Sequence, residues 1–338
     1  MGRVGHGVAL LSGGLDSALA VKLCLEQGLR ITAVRFMTHF GCDAGGGGSC
    51  GHDVTGLARE LGIPIKLCPL GEEYIERVRN PKFGRGANMN ICIDCRVMML
   101  AWAGEYRLAV GADFVLTGEV LNQRPMSQTR ERFGLIDREC GLEGRVLRPL
   151  SARLLAPTIP EIEGLVDRSR LLGLHGRSRK PQLELAARWG ITDYGQPAGG
   201  CLLTDPGYSH RLRELWDHDP AAGASDIMLL QVGRHFRLGP SVKAIVGRDE
   251  GENVTIEAYA EPGDALLGLA DYVGPTTLVR GPCTEPELAR AAALTVRYGD
   301  APEGAEVTVT LRLRGAPART LRSRSIDPAE ADRMRVAR

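Results

Sequence analysis

The sequence predicts an α/β fold, a doubly wound parallel sheet followed by a smaller α+β unit, and three observations predict it. Short apolar runs alternate with helix-length amphipathic stretches through residue 117, the pattern of parallel strands covered on both faces. Residues 12–17 read Ser-Gly-Gly-Leu-Asp-Ser, a glycine turn set between the first apolar run and the first helix. The small, polar run from Asp219 to Ser225 then divides the chain, and beyond it strands cluster round one helical stretch.

Taken in order, strands are predicted at residues 7–11, 31–37, 64–68 and 113–117, with a short one at 146–148. Helices are predicted at 17–27, 53–61 and 92–110. A loop-rich stretch covers 149–181, and a helix covers 206–218. The second unit carries strands at 230–238, 242–246, 276–280 and 307–313 and a helix at 285–298. This gives domains at 1–218 and 226–316, and a tail at 317–338. From Arg312 to Arg338 there are eight arginines against Asp327, Glu330 and Asp332, so the tail is expected to be mobile and solvated.

Composition narrows the function classes. The chain has 338 residues, 42 Lys+Arg against 41 Asp+Glu, and a net charge of +1, which gives no global nucleic-acid signature. No apolar run approaches the ~20 residues of a membrane span, and no signal segment precedes the first strand. A cytoplasmic protein without membrane contact is expected. Its nine cysteines then point to metal or catalytic use rather than disulfides.

The glycine turn is the first chemical feature. Two glycines let backbone N–H groups approach a ligand closely, and the following helix offers unpaired N–H groups and its positive dipole end to an anion. Ser12, Asp16 and Ser17 add polar groups at the rim. No Lys-Ser/Thr pair closes the loop, so it is not a Walker A site. The loop resembles the PP-loop, SGGxDS, of the ATP-pyrophosphatase family, which implies an adenine nucleotide alpha hydrolase-like sheet and cleavage of ATP between its α- and β-phosphates.

Cysteines form the second feature. Cys92-Ile-Asp-Cys95 opens the longest predicted helix, where the helix dipole is expected to lower thiol pKa and favour thiolate. Cys201 follows Pro197-Ala-Gly-Gly in a glycine-rich turn and can converge on that pair. Three thiolates with an open fourth position suit a 4Fe–4S cluster; alternatively, one thiol carries a persulfide that another resolves. His39, Cys42, Cys50 and His52 can be drawn as a zinc set, but their spacing fits no standard finger. Cys24 and Cys140 read as packing residues.

Together the PP-loop, the Cys-x-x-Cys and the later Gly-Gly-Cys resemble the tRNA thiolation enzymes, the 2-thiouridylases and 4-thiouridine synthetases. The resemblance implies a tRNA sulfurtransferase: ATP adenylates a uridine carbonyl oxygen and releases pyrophosphate, and sulfur displaces AMP. It implies Ser12, Gly13, Gly14, Asp16, Ser17, Phe36, Thr117 and Gly118 as nucleotide-binding residues, with Asp16 also catalytic. Cys92, Cys95 and Cys201 become the catalytic sulfur or cluster-ligating site. ATP, Mg²⁺ and a 4Fe–4S cluster are the implied cofactors. The implied partners are tRNA, a sulfur donor (sulfide or a cysteine desulfurase relay) and, as an open option, a second copy of the chain. Glu119 falls in the same nucleotide-lining region.

Val246-Gly-Arg-Asp-Glu-Gly-Glu-Asn253 and its neighbouring strands resemble the RNA-binding R domain of NFACT proteins, which implies an RNA-docking module. The polar run Asn122–Arg130 lies where a substrate could be gripped, and Gly176–Gln182 is the most basic internal stretch, a candidate phosphate contact. Two other functions fit parts of the sequence: a PP-loop sulfur insertase or amidating ligase acting on a small molecule, and a non-catalytic RNA-binding protein.

Overall fold

The structure, a computed structural model, describes residues 3–41, 53–192, 194, 201–313 and 317–336. The chain divides into two compact units, Met1–Cys201 and Leu202–Arg338. Cys42, Cys50 and His52 of the drawn zinc set lie outside the described residues, as does the Pro197–Gly200 run.

In the first unit, β1 (His6–Leu10), β2 (Arg30–Met37), β3 (Ile65–Pro69), β4 (Phe114–Thr117) and β5 (Val146–Leu147) form one sheet of order β3-β2-β1-β4-β5. Every pairing is parallel. Its helices are α1 (Leu15–Leu25), α2 (Val54–Glu60), α3 (Glu72–Arg79), α4 (Cys92–Ala109), α5 (Arg130–Glu139), α6 (Ile159–Ile162) and α7 (Lys180–Trp189). Apolar runs fill both faces of the sheet. One face packs Leu15, Leu19, Ile31, Phe114 and Leu116 together, and the other packs Val8, Val34, Leu100 and Val115. Strand order reverses between β1 and β4, so the crevice beyond their carboxyl ends is the topological place for a ligand.

The sequence missed α3 and α5. Both are strongly charged, yet α3 buries Tyr74, Ile75 and Val78, and α5 buries Phe133 and Ile136.

The second unit starts with α8 (Pro206–His218) and α9 (Ala224–Leu229). Its sheet, of order β11-β10-β8-β9-β7-β6, is antiparallel throughout. The strands are β6 (Arg234–Gly239), β7 (Val242–Val246), β8 (Ala265–Leu269), β9 (Thr277–Arg280), β10 (Val307–Leu313) and β11 (Arg319–Ser323). The helices α10 (Glu250–Ala258), α11 (Glu285–Arg297) and α12 (Pro328–Met334) complete it. The core forms where Leu288, Ala291 and Ala292 of α11 meet Val246, Leu267 and Val309 of the strands.

Three expectations are corrected here. The division lies at Cys201/Leu202, not at 219–225, because α8 is bound into the second unit: Arg211 Nε donates to the Leu230 carbonyl (3.0 Å), and Glu214 pairs with Arg237 (2.6 Å) and Lys243 (3.5 Å). The predicted strand at 230–238 begins only at Arg234, since α9 extends to Leu229 with Leu230 as its cap. The described residues of the arginine-rich segment are folded into the second unit: β11 pairs with β10 from Val307↔Ser323 to Leu311↔Arg319, and Val336 N–H donates to the His235 carbonyl (3.0 Å). Backbone pairing at a sheet edge accepts charged side chains on its exposed face, which is why composition misread it.

Candidate nucleotide and thiol site

The glycine turn stands directly beyond β1. Gly13 has φ +80°, a left-handed conformation that favours glycine. Gly14 caps α1 without a side-chain hydrogen bond to the helix, and Ser17 N–H turns back to the Gly14 carbonyl (3.1 Å), so the N–H groups of Leu15 and Asp16 are the first-turn donors left for a ligand. Ser17 shapes the loop from inside: its Oγ donates to the Gly14 carbonyl (2.7 Å) and accepts from Ser12 N–H (3.3 Å). The Ser12 and Ser17 hydroxyls lie 3.2 Å apart. Arg35 of β2 donates to the Ser12 carbonyl, fixing the loop to the neighbouring strand.

The end of β4 closes on this loop from the other side of the crevice. A Cβ built on Gly118 would lie 2.5 Å from the Asp16 carbonyl carbon and 2.5 Å from the Ser17 nitrogen, so only glycine fits. Gln123 Nε2 donates to Asp16 Oδ2 (3.0 Å). Asp16 Oδ1 is sealed from solvent and accepts no hydrogen bond from the described residues. A carboxylate with one oxygen held and one buried without a donor fits a cation. Sequence reasoning placed Gln123 in a general polar loop. Its reach to Asp16 depends on the turn at Asn122, which has φ +61°.

Thr117 and Glu119 are both buried. The Thr117 hydroxyl donates to Glu119 Oε2 (3.1 Å), and Arg148 Nε donates to the same oxygen (3.1 Å). Arg148 also holds Asp137 through both terminal nitrogens (2.8 and 2.7 Å) and lies over the Phe133 ring. Burial works against the Arg148 charge, but Asp137 and Glu119 more than offset it and hold its pKa above the ordinary value. Burial raises the Asp137 carboxyl despite that pairing. Arg96 Nε of α4 lies 3.3 Å from Glu119 Oε1.

The thiols sit on the first turn of α4. Asn90 Oδ1 accepts from Cys92 N–H (2.9 Å), and Asp94 accepts from the backbone of Lys82 and Phe83 (2.8 and 3.1 Å). The buried Asp94 carboxylate thus pins the preceding loop to the turn. The Tyr74 hydroxyl, buried on α3, donates to Cys95 Sγ (3.2 Å). Burial, then the charges of Cys95 and Cys201, push the Tyr74 hydroxyl well above its ordinary pKa, with Cys92 acting in the same direction. All three thiols therefore act on one hydroxyl.

The expected lowering of the thiol pKa fails at Cys95. Burial raises it, and neither the Tyr74 hydrogen bond nor the Arg96 charge overcomes that. Cys201 is exposed. The described residues hold no group of three His, Cys, Asp or Glu side chains gathered for a metal ion.

Phe36, near the end of β2, packs edge-on against Trp102 (ring centroids 5.5 Å apart). Cys24 is buried, its thiol pushed up to about 12 by burial, and Cys140 is pushed up to about 11, first by burial and then by Asp137. Both fit packing roles. Within 176–182, Arg177 and Lys180 are exposed while Gln182 is buried.

Two family models match the chain. Residues 2–153 match a model described as thiamine biosynthesis protein (ThiI), and residues 233–335 match the NFACT protein RNA binding domain. A tRNA-specific 2-thiouridylase of Syntrophotalea carbinolica is 31% identical over 119 residues, covering 33% of this chain and 34% of the relative. Another, from Streptococcus agalactiae, is 23% identical over 95% of this chain and 89% of its own. A solved 4-thiouridine synthetase–RNA complex with bound ATP aligns with a TM-score of 0.35 at 23% identity, covering 67% of this chain and 52% of that one. The chain spans about a third of the length of the first curated relatives it matches.

Proposed function

We propose that this chain, a PP-loop protein similar to the thiouridine synthetases and carrying an NFACT-type RNA-binding domain, is an ATP-dependent tRNA sulfurtransferase. The observation that carries this reading is the meeting, in one unit, of an uncapped SGGxDS loop with a thiol-bearing helix start, joined through Glu119 and Arg96.

The loop N–H groups of α1 bind the β,γ-pyrophosphate and leave the α-phosphorus open to attack. The uridine carbonyl oxygen bonds to that phosphorus as the α–β bridge breaks, and pyrophosphate carries away the charge. Asp16, aligned by Gln123, would hold Mg²⁺ against the phosphates through its free Oδ1, supplying the positive charge that a loop without lysine lacks. A sulfur nucleophile then bonds to the activated uridine carbon, and AMP leaves with the former carbonyl oxygen.

Cys92, Cys95 and Cys201 are the sulfur-handling thiols. They would hold a 4Fe–4S cluster, or one would carry a persulfide that another resolves, and either would supply the sulfur for the transfer. Their shared action on Tyr74 supports convergence, while burial holds the Cys95 thiol protonated, which tells against its use as a free nucleophile. The second unit supplies the tRNA grip, with the NFACT match and its arginine-bearing edge strand as support.

The test is anaerobic reaction of the full chain with a tRNA transcript, ATP, Mg²⁺ and sulfide, followed by mass spectrometry of the nucleosides. Thiouridine with equimolar AMP is expected. AMP release that never yields thiouridine would overturn the reading.

A further inference from the structure

Arg96 stands where the two halves of the site meet. It follows Cys95 directly and lies one helical turn from Cys92, on the α4 face that Cys92 occupies. Its guanidinium Nε is 3.3 Å from Glu119 Oε1. Glu119 follows Gly118, which touches the Asp16–Ser17 backbone. A chain of direct contacts thus runs from the thiol turn, through one ion pair, to the nucleotide loop.

The partners of that ion pair differ in how firmly they are held. Glu119 is 2% exposed and takes donors from Thr117 and Arg148 on Oε2, and Arg148 is 3% exposed and clamped by Asp137. Glu119 Oε1 accepts no hydrogen bond from the described residues; the ion pair to Arg96 is what answers its charge there. Arg96 is 29% exposed. Glu119, Thr117, Arg148 and Asp137 form a fixed anchor inside the protein, and Arg96, on the thiol-bearing first turn of α4, is its more exposed end.

We propose that Arg96 is a positioning residue, whose ion pair with Glu119 holds the first turn of α4 at the distance from the PP-loop that sulfur transfer requires. The inference rests on the sulfurtransferase reading above. Adenylation uses the loop, whereas sulfur transfer needs loop and thiol turn in register. Displacement by about 1 Å can cost on the order of 10²-fold in a step that depends on near-attack geometry. Losing the ion pair therefore uncouples the second step from the first, and water then hydrolyses the adenylated uridine, restoring the carbonyl oxygen and releasing AMP. A lysine keeps the charge but lacks the guanidinium's fixed planar reach, so it restores the coupling in part.

The experiment counts AMP and thiouridine separately, with the full chain, a tRNA transcript, ATP, Mg²⁺ and sulfide under anaerobic conditions. Arg96→Gln is expected to raise the AMP-to-thiouridine ratio at least about tenfold while the KM for ATP changes less than about twofold. Arg96→Lys is expected to fall between that variant and the native chain. A ratio unchanged in Arg96→Gln, whether both yields persist or fall together, overturns the proposal. A native chain that forms AMP and no thiouridine instead overturns the functional reading, and this inference with it.

Discussion

Gly118 lies so close to Ser17 that a β-carbon on it would sit 2.5 Å from the Ser17 amide nitrogen. Two segments a hundred residues apart in sequence therefore share a backbone-to-backbone contact at the crevice between β1 and β4. Both contacting groups are main chain, so neither can rotate away.

Gly118→Ala should consequently displace the loop that cradles phosphate. Overpacking of this kind costs about 1–3 kcal/mol, and pyrophosphate release should fall by at least about 10²-fold, since the loop donors leave their positions. Thermal unfolding together with pyrophosphate assay checks both effects. An alanine variant with native turnover would show that the contact is loose.

Asp16→Ala should remove adenylation without disturbing the thiols. AMP formation is expected to drop by about 10²–10³-fold, while the number of thiols titrated under denaturing conditions and the native circular dichroism stay unchanged. Gln123→Leu leaves Asp16 present but unaligned, and its expected signature is a raised KM for Mg–ATP with a smaller loss in kcat. Equal behaviour of the two variants would contradict the role given to the Gln123–Asp16 hydrogen bond.

The cysteines should divide into two classes. Serine at Cys92, Cys95 or Cys201 is expected to abolish thiouridine formation while pyrophosphate release persists. Cys24→Ser should leave thiolation intact, because its thiol, pushed up to about 12 by burial within α1, offers no thiolate near neutral pH. Full thiolation by any one of the first three variants would remove that residue from the chemistry.

The second unit should lose stability in acid through His235. Burial first, then Lys243 and Arg211, holds its imidazole well below the usual 6.5, and its Nε2 pairs with the Val232 carbonyl (2.9 Å). The unfolded chain thus binds a proton that the folded chain refuses, so stability is full above about pH 6.5 and declines as pH falls below it. Chemical denaturation followed at several pH values checks this, and a midpoint for this unit that is flat from pH 7 to 5 would contradict it.

Lys243 acts in the alkaline range. Burial lowers its pKa from 10.5 to about 8, against the pull of Glu214. Between those values the unfolded chain holds a proton that the folded chain has released, so stability rises from about pH 8 to 10.5. Lys243→Met removes that ionisation, so the rise between about pH 8 and 10.5 should be absent from its pH–stability profile. Native and variant profiles of equal slope over that range would refute this.

Much of the first unit was legible because its signals are contiguous. Six adjacent residues announce the loop, and β1, β2 and β4 are short, mainly apolar runs within a residue or so of their expected bounds. What escaped notice depends on three-dimensional partners. Glu72–Arg79 reads as a charged run, and only the packed helix shows Tyr74 turned inward to Cys95. Gln123 and Asp16 are 107 residues apart, and no periodicity connects them. Cys95 occupies a helix start, which favours thiolate, but its burial is a property of the surrounding fold and reverses the direction. β11 presents little apolar surface and is held by its hydrogen-bond register with β10.

The helix α8 falls outside the residues that match the RNA-binding family model, yet it carries Glu214, the carboxylate facing both Arg237 and Lys243. A truncation at the polar run 219–225 would strand an ammonium group in the interior with its counter-charge deleted. A fragment that keeps this half of the molecule intact should therefore begin near Leu202, since the helix just ahead of the family-matched sheet is part of its electrical balance.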